Sequence, residues 1–316
     1  MLEQLQYTEH PVDVLGQAKS MMDAGKKLVL VTSVNIKGGA AREVGSLAVV
    51  SQDGEMVGYM SNGCIDRDIL LQALALLETD ATAKTLRYGD GSPYFDLKLP
   101  CGGSLELLLD ARPDHETLRT AHQNLVQRKP ARIDYALPTT DEPASFLYSP
   151  KPRLAIAGRG AVFRATVQVA EAAGFETLAL SPDEADLEAV ERVSTLPPVF
   201  LSNPLAIYSL PLDRFSGFMT LFHDHDWEPA LLKAALETDA RFIGCLGSSK
   251  THSLRLTNLI ADGVSIQQLE RIQGPIGLVP SLRNAPSIAV SAIAQVVEAF
   301  PSSIQPLQQT QQQNAA

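Results

Sequence analysis

The stretch Leu154–Phe175, LAIAGRGAVFRATVQVAEAAGF, decides the fold of the second half of the chain. An apolar run at Leu154–Ala157 turns through Gly158-Arg159-Gly160 into a helical pattern. Val162, Ala165, Val169 and the Ala172-Ala173 pair share one face of that helix, and Gly174 ends it. A second apolar run, Thr177–Leu180, follows at once. Strand, glycine turn, helix and strand form the opening unit of a doubly wound parallel sheet, whose helix start presents amides to an anion. The dinucleotide fingerprint itself is broken. Phe163 stands at the third glycine position, and Ser181 stands where an acid would hold a ribose hydroxyl. Asp183 lies beyond Pro182 and is placed to begin the next helix. A Rossmann-like fold is therefore predicted, and NAD(P) is not expected as its ligand.

The length of 316 residues suffices for two domains with separate cores. A formal net charge of -10 with no basic stripe argues against a nucleic-acid partner. The start, MLEQLQYTEH, has neither a basic end nor an apolar centre, so no signal peptide is expected. No apolar run approaches a membrane span. Cys64, Cys101 and Cys245 are odd in number and widely spaced, as reduced cytoplasmic thiols would be.

In the first half, His10–Ala24 has helical spacing, Leu28–Val34 reads as a strand, and NIKGGAAREVGS is a glycine-punctuated loop carrying Arg42. Gln52-Asp53-Gly54 between apolar runs signals a hairpin. SNGCIDRDILLQALALLE is a glycine turn with Cys64, then a helix; Leu99-Pro100-Cys101-Gly102-Gly103 turns into the strand Leu105–Leu109. The predicted organisation is α/β overall. An N-terminal α+β domain spans residues 1–115, a helical and proline-rich connector 116–152, a Rossmann-like doubly wound parallel-sheet domain 153–303, and a disordered tail 304–316.

Ligands of an open parallel sheet bind beyond its strand ends, where the strand order reverses. The strands beginning at Leu154 and Gly217 are predicted neighbours there. Gly158, Gly160 and the His223-Asp224-His225-Asp226 run would share one crevice, with Gly247-Ser248-Ser249 beside them at a helix start. His223 and His225 alternate in an extended run and lack a third ligand at telling spacing, so no metal is expected; the plainer reading makes Asp226 the cap of the helix that follows. Cys245, inside Phe242–Leu246, reads as a packed thiol. Cys64 and Cys101 lie in glycine turns. Cys64 follows Gly63 at a helix start that favours thiolate, and Gly102-Gly103 lets backbone approach a ligand closely. For each, a functional thiol and a packed one both remain open.

The chain resembles the xanthine dehydrogenase accessory (XdhC/CoxI-type) family from about Pro11 to Phe300. The likeness rests on GGAAR at Gly38–Arg42, NGCID at Asn62–Asp66, LPCGG at Leu99–Gly103, the turn at Leu154, HDHD at His223, FIGCLGS at Phe242–Ser248 and GPIGL at Gly274–Leu278. It implies a cytoplasmic, homo-oligomeric maturation factor. Such a protein binds the molybdenum cofactor (molybdopterin) transiently, shields it while a cysteine desulfurase installs sulfur, and delivers it to an apo molybdenum hydroxylase of the xanthine dehydrogenase type. On that reading Arg42, with amides near Gly63, Gly102, Gly103, Gly158, Gly160, Gly247 and Ser248 and the side chains of His223 and His225, would hold the cofactor. Cys64 or Cys101 would face molybdenum. Departures at Ala41, Asn62, Ala161, Ser181, Ser287 and Gln295 fall mostly in the second half, against a nucleotide-dependent role there. A Rossmann oxidoreductase and a pure scaffold are the alternative readings.

Overall fold

The computed structural model describes residues 5–61, 63–90, 103–138, 140–206, 208–222 and 226–307. The chain divides into two units, 1–150 with 302–316, and 151–301. The first contains β1 (Leu5–Gln6), α1 (Pro11–Asp23), β2 (Leu28–Lys37), β3 (Leu47–Ser51), β4 (Met56–Val57), α2 (Asp66–Leu77), β5 (Ala83–Gly89), β6 (Ser104–Asp110), α3 (His115–Val126), β7 (Ala131–Leu137) and β8 (Thr140–Tyr148). The second contains β9 (Arg153–Ala157), α4 (Gly160–Ala172), β10 (Glu176–Ser181), α5 (Glu184–Glu191), β11 (Val199–Phe200), β12 (Ser216–Thr220), α6 (Glu228–Leu236), β13 (Phe242–Cys245), α7 (Ser249–Ala261), α8 (Ile266–Leu269), β14 (Ile272–Gln273) and α9 (Ala285–Ala299). Strand β15 (Ile304–Pro306) then returns to the first unit.

In the first unit the sheet order is β1-β4-β3-β2-β6-β5, antiparallel except for the parallel β1–β4 pair. The period of 2 along its strands sends Leu28, Leu30, Leu47, Val49 and Leu108 to one face, against Val14, Leu15, Ala18, Met21 and Met22 of α1. The alternate residues Val29, Val31, Ala48, Val50, Leu107 and Leu109 meet Ile69, Leu70, Ala73 and Leu76 of α2. Helix α1 forms where expected, with the His10 Nδ1 accepting from the Val12 amide at 3.2 Å and Pro11 in its first turn.

Residues 116–152 are not a connector. Leu118, Ala121 and Leu125 of α3 and Ala131, Ile133, Tyr135, Phe146 and Tyr148 of the β7–β8 hairpin are buried in the same core as α1. The prolines that suggested a linker lie where the ladder does not need an amide. Pro130 precedes β7, Pro138 sits in the turn, and Pro143 falls in the register shift opposite Tyr135–Leu137. The stretch from 304, expected to be disordered, begins with β15, which pairs antiparallel with β8 from Ile304 opposite Tyr148; residues 308–316 lie outside those described. The Rossmann-like unit is thus inserted between β8 and β15.

That second unit has the sheet order β11-β10-β9-β12-β13-β14, and every pairing is parallel. The crossover falls between β9 and β12, as the sequence predicts. Helices α6 and α7 cover one face over Ala155, Leu178, Phe218 and Ile243; α4 and α9 cover the other over Leu154, Ile156 and Met219. No helix among the described residues is long and apolar enough to cross a membrane.

Ile304 is 7% exposed and packs with Phe146 and Tyr148, so Ile304→Ala should cost about 2–4 kcal/mol through loss of buried carbon and the cavity left behind. Calorimetry on the full chain should show the melting of the first unit lowered and that of the second unchanged.

Candidate functional site

The strand directions of the first sheet bring four loops to one edge. β1, β4, β2 and β5 end there, and β3 and β6 begin there, so the segments after Gln6, Lys37, Val57 and Gly89 all leave from the same side. These are the segments that carry GGAAR, NGCID and, before Ser104, LPCGG. Cys101 and Gly102 lie outside the described residues, and Gly103 is where the description resumes. Its backbone is wedged against the GGAAR loop: a Cβ there would stand 2.4 Å from the Lys37 carbonyl oxygen and 2.8 Å from that of Gly39. Only glycine lets these two strands approach so closely.

Cys64 is exposed in the turn ahead of α2. The turn is built around the Asp66 carboxylate, which is 1% exposed. Its Oδ1 accepts from the Met60 amide at 2.8 Å and the Ser61 amide at 3.0 Å. Its Oδ2 accepts from the Ser61 hydroxyl at 3.0 Å and the Gly63 amide at 2.9 Å. Asp66 is also the first residue of α2, where the helix dipole favours negative charge. The Gly63 amide, expected to face a ligand, is therefore committed to an internal carboxylate. Cys64 is presented on a loop with few remaining freedoms.

Arg42 is folded down onto its own unit. Its side chain is 8% exposed, one terminal nitrogen donates to the Glu9 carbonyl at 2.8 Å, and the guanidinium lies 4.6 Å from the Tyr59 ring centroid. The 3.7 Å pairing with the exposed Glu9 carboxylate adds at most about 1 kcal/mol. The charge-assisted bond to the carbonyl is the stronger hold, at about 1.5–3 kcal/mol. Among the described residues Arg42 Nε is buried with no partner. The Tyr59 hydroxyl donates to Glu9, and its ring meets Tyr7 edge-on at 5.2 Å. Burial, reinforced by Glu9 and opposed by Arg42, raises the Tyr59 pKa. Tyr7 reaches towards Gly63, its hydroxyl 3.8 Å from where a side chain there would begin. Arg42, Tyr59, Tyr7 and the Cys64 turn thus form one run of neighbouring groups, buried at Arg42 and Tyr59 and exposed at Tyr7 and Cys64. Glu9, Tyr7 and Tyr59 carry no sequence signal of this kind, because it is the tertiary fold that brings them to Arg42; Asp66 lies inside the NGCID motif, and its role as the carboxylate that organises the turn is what sequence reasoning missed.

The rim of the second unit is different. A Cβ at Gly158 would lie 2.9 Å from Leu221 Cβ, so its glycine serves the close packing of β9 beside the segment following β12. The Gly160 amide, at the head of α4, donates to the Asp186 Oδ2 at 2.6 Å. Asp186 is 2% exposed and also accepts from Arg164 Nε. Ser181 is fully buried, and its hydroxyl accepts from the Asp183 amide at 3.2 Å; Asp183 caps α5, as its position suggested. Ser248 Oγ accepts from the Thr251 amide at 3.1 Å and so takes up one of the amides expected to be open beyond Gly247. His223 and His225 lie outside the described residues. Helix α6 starts with Trp227 at its cap position and no side-chain cap, where Asp226 was expected. Below this rim Glu228, 1% exposed, receives the Arg255 fork through two bonds of 3.0 Å. Cys245 is fully buried, and burial pushes its thiol up to about 12, so it is a packed residue as read from sequence. Among the described residues no cluster of three or more potential metal ligands occurs.

These features define a two-unit α/β protein in which a loop-bearing, largely antiparallel sheet belongs to one unit and a Rossmann-type unit is inserted between β8 and β15. Residues 21–89 match the XdhC and CoxI family, and residues 154–296 match the XdhC Rossmann domain. The molybdenum cofactor insertion chaperone PaoD of Escherichia coli is 33% identical over 308 residues, spanning 93% of this chain and 90% of that protein. This chain belongs to the XdhC/CoxI family. A xanthine dehydrogenase from Bacillus halodurans shares the fold with a TM-score of 0.74 at 19% identity, across 92% of this chain and 95% of that one.

Two outcomes follow from the geometry. Asp66→Asn turns an amide group towards N–H donors and should destabilise the first unit by about 2–3 kcal/mol, read as a lower denaturant midpoint. His252 is held below its ordinary value by burial first and then by the Arg255 guanidinium, with Glu228 opposing. Its folded pKa lies below its unfolded one, so the unfolded chain takes the proton first. The stability of the second unit should be complete above about pH 6.5 and fall as pH drops through that value and below. A pH series of melts with His252→Gln should show a shallower fall.

Proposed function

We propose that this chain is a maturation factor that binds the molybdenum cofactor as cargo, shields it while a cysteine desulfurase supplies sulfur, and delivers it to an apo molybdenum hydroxylase of the xanthine dehydrogenase type. The observation that carries this reading is the single sheet edge from which the GGAAR, NGCID and PCGG segments all leave. A cytoplasmic protein handling an anionic pterin phosphate with a soft metal needs donors and thiols side by side. Arg42, whose fork suits phosphate oxygens, and the exposed backbone around Gly38 would supply the donors. Cys64 and Cys101 suit molybdenum or its sulfur. The 33% identity to a molybdenum cofactor insertion chaperone supports the same cargo. Cargo is held only until transfer, possession passing between copies of a homo-oligomer and its client, and no nicotinamide dinucleotide takes part.

The test is cofactor content and client activation for Cys64→Ser, Cys101→Ser and Cys245→Ser, alongside their melting temperatures. Cys245→Ser buries a hydroxyl and should lose about 1–3 kcal/mol of stability without a specific effect on cofactor. At least one of the other two, with Cys101 favoured, should retain its melting temperature while cofactor retention falls. Normal retention and activation by both would remove the thiols from the mechanism.

A further inference from the structure

The head of α4 is the place where a Rossmann-type sheet ordinarily receives a phosphate, because amides at a helix start converge on negative charge. Here that charge comes from the chain itself. Asp186 reaches back from α5, 26 residues on in sequence, and its two carboxylate oxygens are divided between the Gly160 amide at 2.6 Å and the Arg164 guanidinium. The Asp186 side chain retains only 3% exposure, against 43% for Arg164. It is held from behind as well: Asp183 Oδ1 accepts from the Ala185 amide at 2.9 Å and from the Asp186 amide at 3.3 Å, which fixes the first turn of α5.

We propose that Asp186 is a specificity-determining residue, an internal carboxylate that occupies the phosphate position of this unit and keeps phosphate-bearing nucleotides out. An incoming phosphate would have either to sit beside a like charge or to displace a buried carboxylate from both its donors, and each is unfavourable. Asp186 already holds the first amide of α4 and the Arg164 guanidinium, two of the donors a phosphate there would use. The broken glycine pattern seen in sequence is thus accompanied by an active block. The inference goes beyond the cargo reading and is independent of it, since cargo retention and phosphate binding are measured separately.

The experiment titrates inorganic pyrophosphate and NAD into the full chain by calorimetry, comparing wild type with Asp186→Ser, Asp186→Asn and Asp186→Ser/Arg164→Gln. Wild type should bind neither more tightly than about 1 mM. Asp186→Ser, which empties the position, should bind pyrophosphate at least about tenfold more tightly. Asp186→Asn should gain less, because its amide oxygen can still accept from Gly160, and the double variant should lose most of the gain with the freed guanidinium. Wild-type protein supplies an independent reading should the variants not fold: the Gly160 amide resonance should stay in place up to about 10 mM pyrophosphate. A saturable shift of that resonance, wild-type binding as tight as that of Asp186→Ser, or a folded Asp186→Ser without any gain would each overturn the proposal.

Discussion

A carboxylate taken out of water must find donors, and that requirement shapes loops at the ends of both large sheets. Asp66, Asp186 and Glu228 are each 1–2% exposed. Leaving such a charge unpartnered would cost several kcal/mol, comparable to the net stability of a whole domain. Each therefore gathers the backbone and side chains around it. Asp66 collects two amides, a hydroxyl and a third amide from Met60–Gly63. Asp186 ties α5 to the head of α4, and Glu228 ties α6 to α7 through Arg255.

The consequences for the two units diverge. In the first, the buried carboxylate lies behind the loop and leaves the residue after Gly63 facing outward, so a rigid turn presents an exposed thiol. In the second, the buried carboxylate lies at the very position an external anion would take. One device, a partnered internal charge, thus builds a presenting surface in one unit and closes a receiving one in the other.

Insertion of the Rossmann-type unit between β8 and β15 adds a covalent constraint. The chain that leaves the first unit after Pro150 must come back at Ser302, and Ile304 then lies against Phe146 and Tyr148 within the core that also holds α1. Tyr148, whose hydroxyl donates to the Gly45 carbonyl at 2.9 Å, links that return to the end of the GGAAR loop. The segment carrying Arg42 is braced at its far end by residues that are distant in sequence.

By itself the sequence determined the secondary elements and the crossover of the second sheet. The apolar periods of 2 and 3.6 at Leu154–Leu180, together with glycine punctuation, are local properties that a short window records. It also marked Cys245 as packed and Asp183 as a helix start, because immediate neighbours decide both. The β7–β8 hairpin and the returning β15 escaped it. Prolines look alike in a linker and at a strand bulge, and a three-residue strand has meaning only beside its partner. Long-range packing alone makes Arg42 lean on Tyr59 and Glu9, sets the segments of three motifs at one sheet edge, and brings Asp186 to the head of α4. Those contacts join residues tens of positions apart, and their free energy comes from desolvated charges meeting donors that no sequence window contains.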